Sequence, residues 1–421
     1  MKYFVPALIL ALQLSTQPAK KLAANMNDTY AIRAARVYTL VGPPLEKAVV
    51  LIRAGKIEAV GADLAIPEDA TVVEAAGLDV YPGFFDAATQ LGLIEIESIA
   101  ATVDTNEILP FNPQLQAASA INPQSEHIPV ARANGITHAL SGPSIGGGAT
   151  IGGQAAVIHL AGRTIDEALI DRSAAMVLNW PGLDVGNRPF AEAKQEYEKK
   201  IEQIAELIEA ARHYQQAIEK GTQPLRDLKL EALLPVVRGK QPLFVMANSS
   251  RAIRDAVEFC EKHRLKLIIG GGEQAWKVKD LLRDKQVPVV LRPTQSLPSH
   301  EDEPYDRSYT TPGELYAAGV KIAFSTFGSW IVRRLPQEAG QAVPFGLPRE
   351  EAIKAITINP AEIFGLSDKL GTIEKGKVAN LIVVEGDPLE IRSQVKYVFI
   401  DGKPVSLENR HTRFYEQFRK R

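Results

Sequence analysis

From residue 30 to residue 79 the chain alternates short apolar runs with turn residues. Residues 35–40, 48–52 and 56–60 read as β-strands, and Gly55-Lys56 and Gly61 mark the bends between them. The stretch 371–405 repeats the style, with apolar runs at 379–384 and 395–403. Both ends of the chain are therefore β-rich. Between them, apolar runs of strand length alternate with helical periodicity, the pattern of parallel βα units. The clearest runs are 80–85, 136–140, 243–247, 265–269, 287–291 and 320–324. Six units over this span predict an α/β fold, a (βα)8 TIM-type barrel with further strands unread.

One long helix is predicted over 191–220. Tyr197, Ile201, Ile204, Ile208, Ala211 and Ile218 recur at spacings of three and four with charged residues between them. Packing on a barrel wall is expected for this helix in preference to a coiled coil with a partner. At the other end of the periodicity scale, residues 3–14 form a short apolar run after Met1-Lys2, and Ser15-Thr16-Gln17-Pro18-Ala19 follows. That order fits a secretory signal peptide within residues 1–24, cut after Ala19 or Ala24, and hence a periplasmic or secreted protein. The competing reading is an N-terminal helix or a lipid-surface anchor. About 12 apolar residues are too few to span a bilayer, and no other stretch is long enough.

Charge and cysteine content narrow the chemistry. With 48 Lys+Arg against 50 Asp+Glu the net charge is 48 − 50 = −2, which provides no global field for nucleic acid or an anionic membrane. The single cysteine, Cys260, excludes an internal disulfide framework and a thiolate metal cluster. A transition-metal site in this chain would have to be built from histidine and carboxylate.

Two segments carry a resemblance. Asp79-Val80-Tyr81-Pro82-Gly83-Phe84-Phe85-Asp86-Ala87, followed by Leu91-Gly92, resembles the end of the first barrel strand in the amidohydrolase superfamily. Residues 357–366, from Thr357-Ile358-Asn359-Pro360-Ala361, run into Leu370-Gly371-Thr372-Ile373-Glu374-Lys375-Gly376 and the apolar stretch to Val383, which is similar to that family's return into its terminal domain. The resemblance extends over about residues 30–405 and is nearest the imidazolonepropionase-like branch. It implies a barrel over 80–365, a small composite β-sandwich from 30–79 and 366–405, and a tail or helix over 406–421.

The family hydrolyses C–N bonds of cyclic amides, amidines and peptides with water activated on zinc, iron or manganese, held by histidines and carboxylates at strand ends. The positions that the resemblance assigns to those ligands are Ala88 and Gln90 in place of a His-x-His pair, Met246, Gly271, and Phe327 in place of an aspartate. None of the five supplies imidazole or carboxylate ligation. All seven histidines (His127, His138, His159, His213, His263, His300 and His411) fall elsewhere. No metal or other cofactor is therefore expected.

Substitute groups near the strand ends are Asp86, Glu95, Glu97, Asp104, Glu126, His127, His138 and Glu273. Glu95 and Glu97 would share one face of an extended segment and could act as an acid–base pair, against the alternative of a solvated strand face. His127, beside Glu126, is a candidate pocket residue or a surface histidine. Asp86 reads as an organiser of the strand end. The glycine-rich loop 141–154 reads either as a substrate-binding loop or as a plain barrel loop, and it lacks the ending of a nucleotide-binding loop. Ser144 and Ser329 lie outside any Gly-x-Ser-x-Gly elbow. The basic, aromatic C-terminus from Arg410 reads as an amphipathic helix docked on the body.

Two functions follow: a C–N hydrolase with a displaced or metal-free site built on Glu95, Glu97 and His127, or a non-catalytic binding or partner subunit. The expected partners are a small-molecule ligand and a homo-oligomer or a hetero-oligomer with an active paralogue.

Overall fold

The computed structural model describes residues 29–145, 147–183, 185–186, 188–222, 224–298 and 302–419; the segment read as a signal peptide lies outside them. The first five strands are β1 (Thr29–Val37), β2 (Leu45–Glu46), β3 (Val49–Arg53), β4 (Lys56–Gly61) and β5 (Thr71–Pro82). The barrel strands are β6 (Phe84–Thr89), β7 (Ile136–Ser141), β8 (Ile151–His159), β9 (Leu169–Asn179), β10 (Leu243–Ala247), β11 (Leu267–Gly271), β12 (Val289–Leu291) and β13 (Ile322–Phe324). Strands β14 (Leu381–Glu385), β15 (Gln394–Ile400) and β16 (Lys403–Val405) follow.

The helices are α1 (His127–Arg132), α2 (Ile165–Ala168), α3 (Phe190–Glu219), α4 (Leu228–Val237), α5 (Ser250–Lys262), α6 (Lys279–Asp284), α7 (Arg307–Ala317), α8 (Leu335–Gln341), α9 (Arg349–Lys354), α10 (Ile358–Ile363) and α11 (Arg410–Phe418).

Strands β6 to β13 form one sheet in sequential order. Its two ends meet at a seam. On one side Phe327 N–H donates to Ala88 O at 2.9 Å and Gln90 N–H to Gly328 O at 3.0 Å. Lower down, Phe324 N–H and Phe85 N–H reach Ala355 O and Ile356 O, so residues 355–356 fill the gap between β13 and β6. The result is an α/β TIM-like barrel, nearly closed.

It is not eight parallel strands. β8 runs antiparallel to both β7 and β9. The reason is connection length: a parallel return needs a crossover of a dozen or more residues, whereas β7 reaches β8 through the glycine-rich loop alone, and β8 reaches β9 through the single turn of α2. Gly153 allows β8 to pass this close to its neighbour. Its φ is +127°, and a Cβ there would stand 2.8 Å from Leu115 O.

Both chain ends contribute to one eight-stranded sheet. β5 makes it continuous, pairing parallel with β1 along most of its length and antiparallel with β14 at its end. The sheet curls. Tyr30 of β1 meets Phe399 of β15 edge-on with ring centroids 5.7 Å apart, although β5 and β14 lie between their strands in the sheet.

Helix α3 packs on the barrel through Tyr197, Ile204, Ile208 and Ala211, as its periodicity predicts. Ile218, at the end of the same stripe, is 41% exposed because the helix outruns the surface it covers. The C-terminal helix α11 forms from an Asn409 capping box, but buries none of its residues.

Candidate functional site

The carboxyl ends of parallel barrel strands are where a TIM-like barrel presents groups to a ligand. Beneath those ends the barrel interior is filled by apolar side chains, among them Phe85, Leu140, Val157, Phe244, Met246 and Val290. Met246 is paired in register with Gly270 on β11. A Cβ on Gly270 would lie 2.5 Å from Phe244 Cε1 and 2.8 Å from Met246 Sδ, so Gly270 faces the barrel interior and those two side chains occupy its space.

Gly271 points elsewhere, as pleat alternation requires. Its φ is +94°, and a Cβ there would meet Asn248 Oδ1 at 2.2 Å. Ala88 is fully buried, and its carbonyl accepts from Phe327 N–H and Ser325 Oγ. Gln90 is half-buried beside the seam. Phe327 adopts φ +53° and packs against the barrel-filling cluster.

Asp86 brings a carboxylate into this layer, and it is completely buried. Its Oδ1 accepts from Ser325 Oγ at 2.8 Å, Thr326 N–H at 3.2 Å and Ala88 N–H at 3.4 Å; its Oδ2 accepts from Thr326 Oγ1 at 2.6 Å. Burial pushes its pKa up to about 7, against the opposing pull of the Thr326 and Ser325 hydrogen bonds. Ser325 and Thr326 directly precede Phe327 at the end of the last barrel strand and are not among the candidate residues read from the sequence. Their signal is indirect: an aspartate inside an apolar run has to find donors at another strand end.

The remaining candidates scatter. His127 Nε2 donates to the Glu95 carbonyl at 2.9 Å, and Glu95 Oε1 accepts from Glu126 N–H at 3.2 Å, so these three residues do meet. The His127 ring nitrogen is nevertheless engaged by backbone and not by the Glu95 carboxylate. Glu97 and Asp104 are exposed. Glu273 pairs with Arg292 at 3.2 Å.

His138 lies toward the other end of the barrel, in register with His159, whose Nε2 is 3.2 Å from Asp401 Oδ2 in the turn between β15 and β16. His138 Nδ1 is 2.8 Å from Thr137 Oγ1, and its Nε2 is buried without a hydrogen-bond partner. Burial, reinforced by the nearby His159, lowers its pKa to about 3. Ser144 Oγ donates to Asn106 Oδ1 at 2.6 Å, and Ser329 Oγ is buried without a partner. Among the described residues neither serine hydrogen-bonds to a histidine.

A metal ion of the kind that activates water needs three or more imidazole and carboxylate donors. Among the described residues no group of three or more His, Cys, Asp and Glu side chains is placed to hold one. Ala88, Gln90, Met246, Gly271 and Phe327 carry neither imidazole nor carboxylate for such an ion, and Asp86 already has both oxygens engaged.

Barrel, curled terminal sheet and seam together define an α/β TIM-like barrel with an attached β-sheet. Comparison with known proteins gives the family. Residues 321–406 match the model of the amidohydrolase family. An amidohydrolase from Thermotoga maritima MSB8 has a structure similar over 90% of this chain and 99% of its own, with a TM-score of 0.80 and 28% sequence identity. Amidohydrolase tasK of Hapsidospora irregularis is 23% identical over 385 residues, 83% of this chain and 39% of that protein. An imidazolonepropionase of Flavobacterium johnsoniae is 37% identical over 95 residues, 22% of this chain and 23% of that protein. The chain thus matches well under half the length of these two curated relatives. It belongs to the amidohydrolase superfamily.

Proposed function

We propose that this chain is a non-catalytic member of the amidohydrolase superfamily, nearest the imidazolonepropionase-like branch, that binds a small molecule or a partner subunit. The observation that carries the reading is the apolar interior of the barrel, where Met246 and Phe244 fill the space that a side chain on Gly270 would need. The family hydrolyses C–N bonds. Without ligands to lower the pKa of a bound water from 15.7 toward about 7, the main source of rate at neutral pH is missing. Folding requires none of those ligands, because the barrel is held by apolar packing and by the seam. An active paralogue or a second copy of this chain is the partner such a subunit would serve. The apolar run at residues 3–14 supports export.

A second reading, metal-free hydrolysis by Glu95, Glu97 and His127, draws on the contact between His127 and Glu95. It is weaker because that contact uses the Glu95 carbonyl.

The test is elemental analysis of the purified protein together with assays on a cyclic amide and a dipeptide. Below ~0.1 zinc, iron or manganese per chain, with no turnover, is expected. About one or two tightly held ions per chain would overturn the reading. Turnover without metal that His127→Ala abolishes would establish the second one.

A further inference from the structure

Helix α11 exposes side chains that a soluble surface helix ordinarily hides. Phe414 is 49% exposed, Tyr415 65% and Phe418 45%, and no residue of the helix is buried. These three lie at i, i+1 and i+4, so they form one stripe. The Phe414 and Phe418 ring centroids lie 6.3 Å apart. The helix is not adrift: Asn409 caps it, Arg413 reaches the Glu126 carboxylate at 2.9 Å, and His411 Nε2 is 3.1 Å from Arg333 Nη1.

The surroundings are cationic. Residues 410–421 contain Arg410, Arg413, Arg419, Lys420 and Arg421 against the single carboxylate of Glu416. Arg333 extends the same surface through its contact with His411. From it the chain leads to Arg334, whose guanidinium lies over the ring of Trp330, itself 43% exposed. Burial and the charges of Arg333 and Arg410 hold His411 below the usual histidine range, which agrees with a positive local potential. A whole-chain charge of −2 conceals this patch.

We propose that this patch docks on an anionic lipid surface: Phe414, Tyr415, Phe418 and Trp330 enter the interfacial layer, and Arg410, Arg333 and Arg334 meet the headgroups. Charge complementarity chooses lipid over protein: aromatic rings interleaved with arginine on a short helix match the amphipathic chemistry of an anionic bilayer interface.

The experiment is co-sedimentation of the full chain with vesicles of phosphatidylcholine alone or with about a third phosphatidylglycerol, at ~0.1 M and ~0.5 M salt. Binding to the anionic vesicles at low salt is expected, with release at high salt. The double variant Phe414→Ser/Phe418→Ser should bind at least ~5-fold less while keeping the thermal midpoint of the parent, since neither ring is buried. Equal sedimentation of parent and double variant overturns the proposal, as does binding that ignores phosphatidylglycerol. A parent that light scattering shows to be dimeric, and that the double variant makes monomeric, also overturns it and assigns the stripe to a second copy of the chain.

Discussion

Thr326 Oγ1 donates a 2.6 Å hydrogen bond to Asp86 Oδ2, tying the last barrel strand to the first at a carboxyl group that water does not reach. The two residues are 240 positions apart, and with Ser325 they form the polar part of the seam that closes the barrel.

Asp86 should therefore make stability depend on pH in an unusual direction. Its folded pKa of about 7 lies above the ordinary 3.8, so its contribution is fully present below pH ~4 and is lost as pH rises through about 7. In Asp86→Asn the amide oxygen can keep the Oδ1 contacts while the amide nitrogen donates to Thr326 Oγ1. Urea unfolding of both proteins from pH 4.5 to 7.5 should show the variant gaining on the parent by on the order of 2–3 kcal/mol across that range. A constant difference would mean that Asp86 is ionised throughout.

His138 should act with the opposite sign. Its folded pKa of about 3 lies below the unfolded value of 6.5, so stability is lost as pH falls from 6.5 toward 3. His138→Leu removes that loss, and Thr137 Oγ1 keeps its bond to Phe84 O. At pH 5 the variant should be more stable than the parent by about 2 kcal/mol, with a smaller difference at pH 7.5, measured by denaturant unfolding.

Gly271 and Gly346 separate backbone strain from crowding. Both have positive φ, +94° and +105°, but a Cβ on Gly271 meets Asn248 Oδ1 at 2.2 Å, whereas one on Gly346 meets nothing within 4 Å. Gly346→Ala should cost about 1 kcal/mol, and Gly271→Ala roughly 2–4 kcal/mol, because overpacking adds to the strain. Equal losses in thermal unfolding would show that Asn248 moves aside freely.

Cys260 is buried on the inner face of α5, and burial pushes its thiol up to about 12. Little thiolate is present at pH 8. A thiol-specific disulfide reagent should label it at least ~100-fold more slowly in the native protein than in denaturant. Rapid native labelling would place the thiol in a solvent-accessible opening.

Much of this architecture is legible locally. The runs at 136–140, 243–247, 287–291 and 320–324 coincide with barrel strands because strands buried on both faces read as continuous apolar stretches. Strands β8 and β9 escape notice. β8 begins Ile151-Gly152-Gly153-Gln154 and continues with alanines, residues of low strand propensity whose place is secured by the approach of Leu115 and Ser144. The run at 80–85 is a different failure: one apolar stretch serves two sheets, ending β5 and starting β6 across Gly83.

Around the candidate site, residue types were readable and directions were not. Ala88, Met246 and Phe327 lack imidazole and carboxylate whatever the fold. That Gly270 faces the barrel while Gly271 turns toward Asn248 depends on the pleat of β11 and on a left-handed backbone that no local pattern announces. By itself the sequence determined an α/β chain of βα units with β-rich ends and a long helix on its wall, because these follow from periodicity and residue chemistry. Only the tertiary structure decided that β8 runs antiparallel, that both ends share one curled sheet, and that Asp86 is spent on closing the barrel. Those outcomes depend on connection length and on contacts between residues hundreds of positions apart, neither of which hydrophobic periodicity encodes.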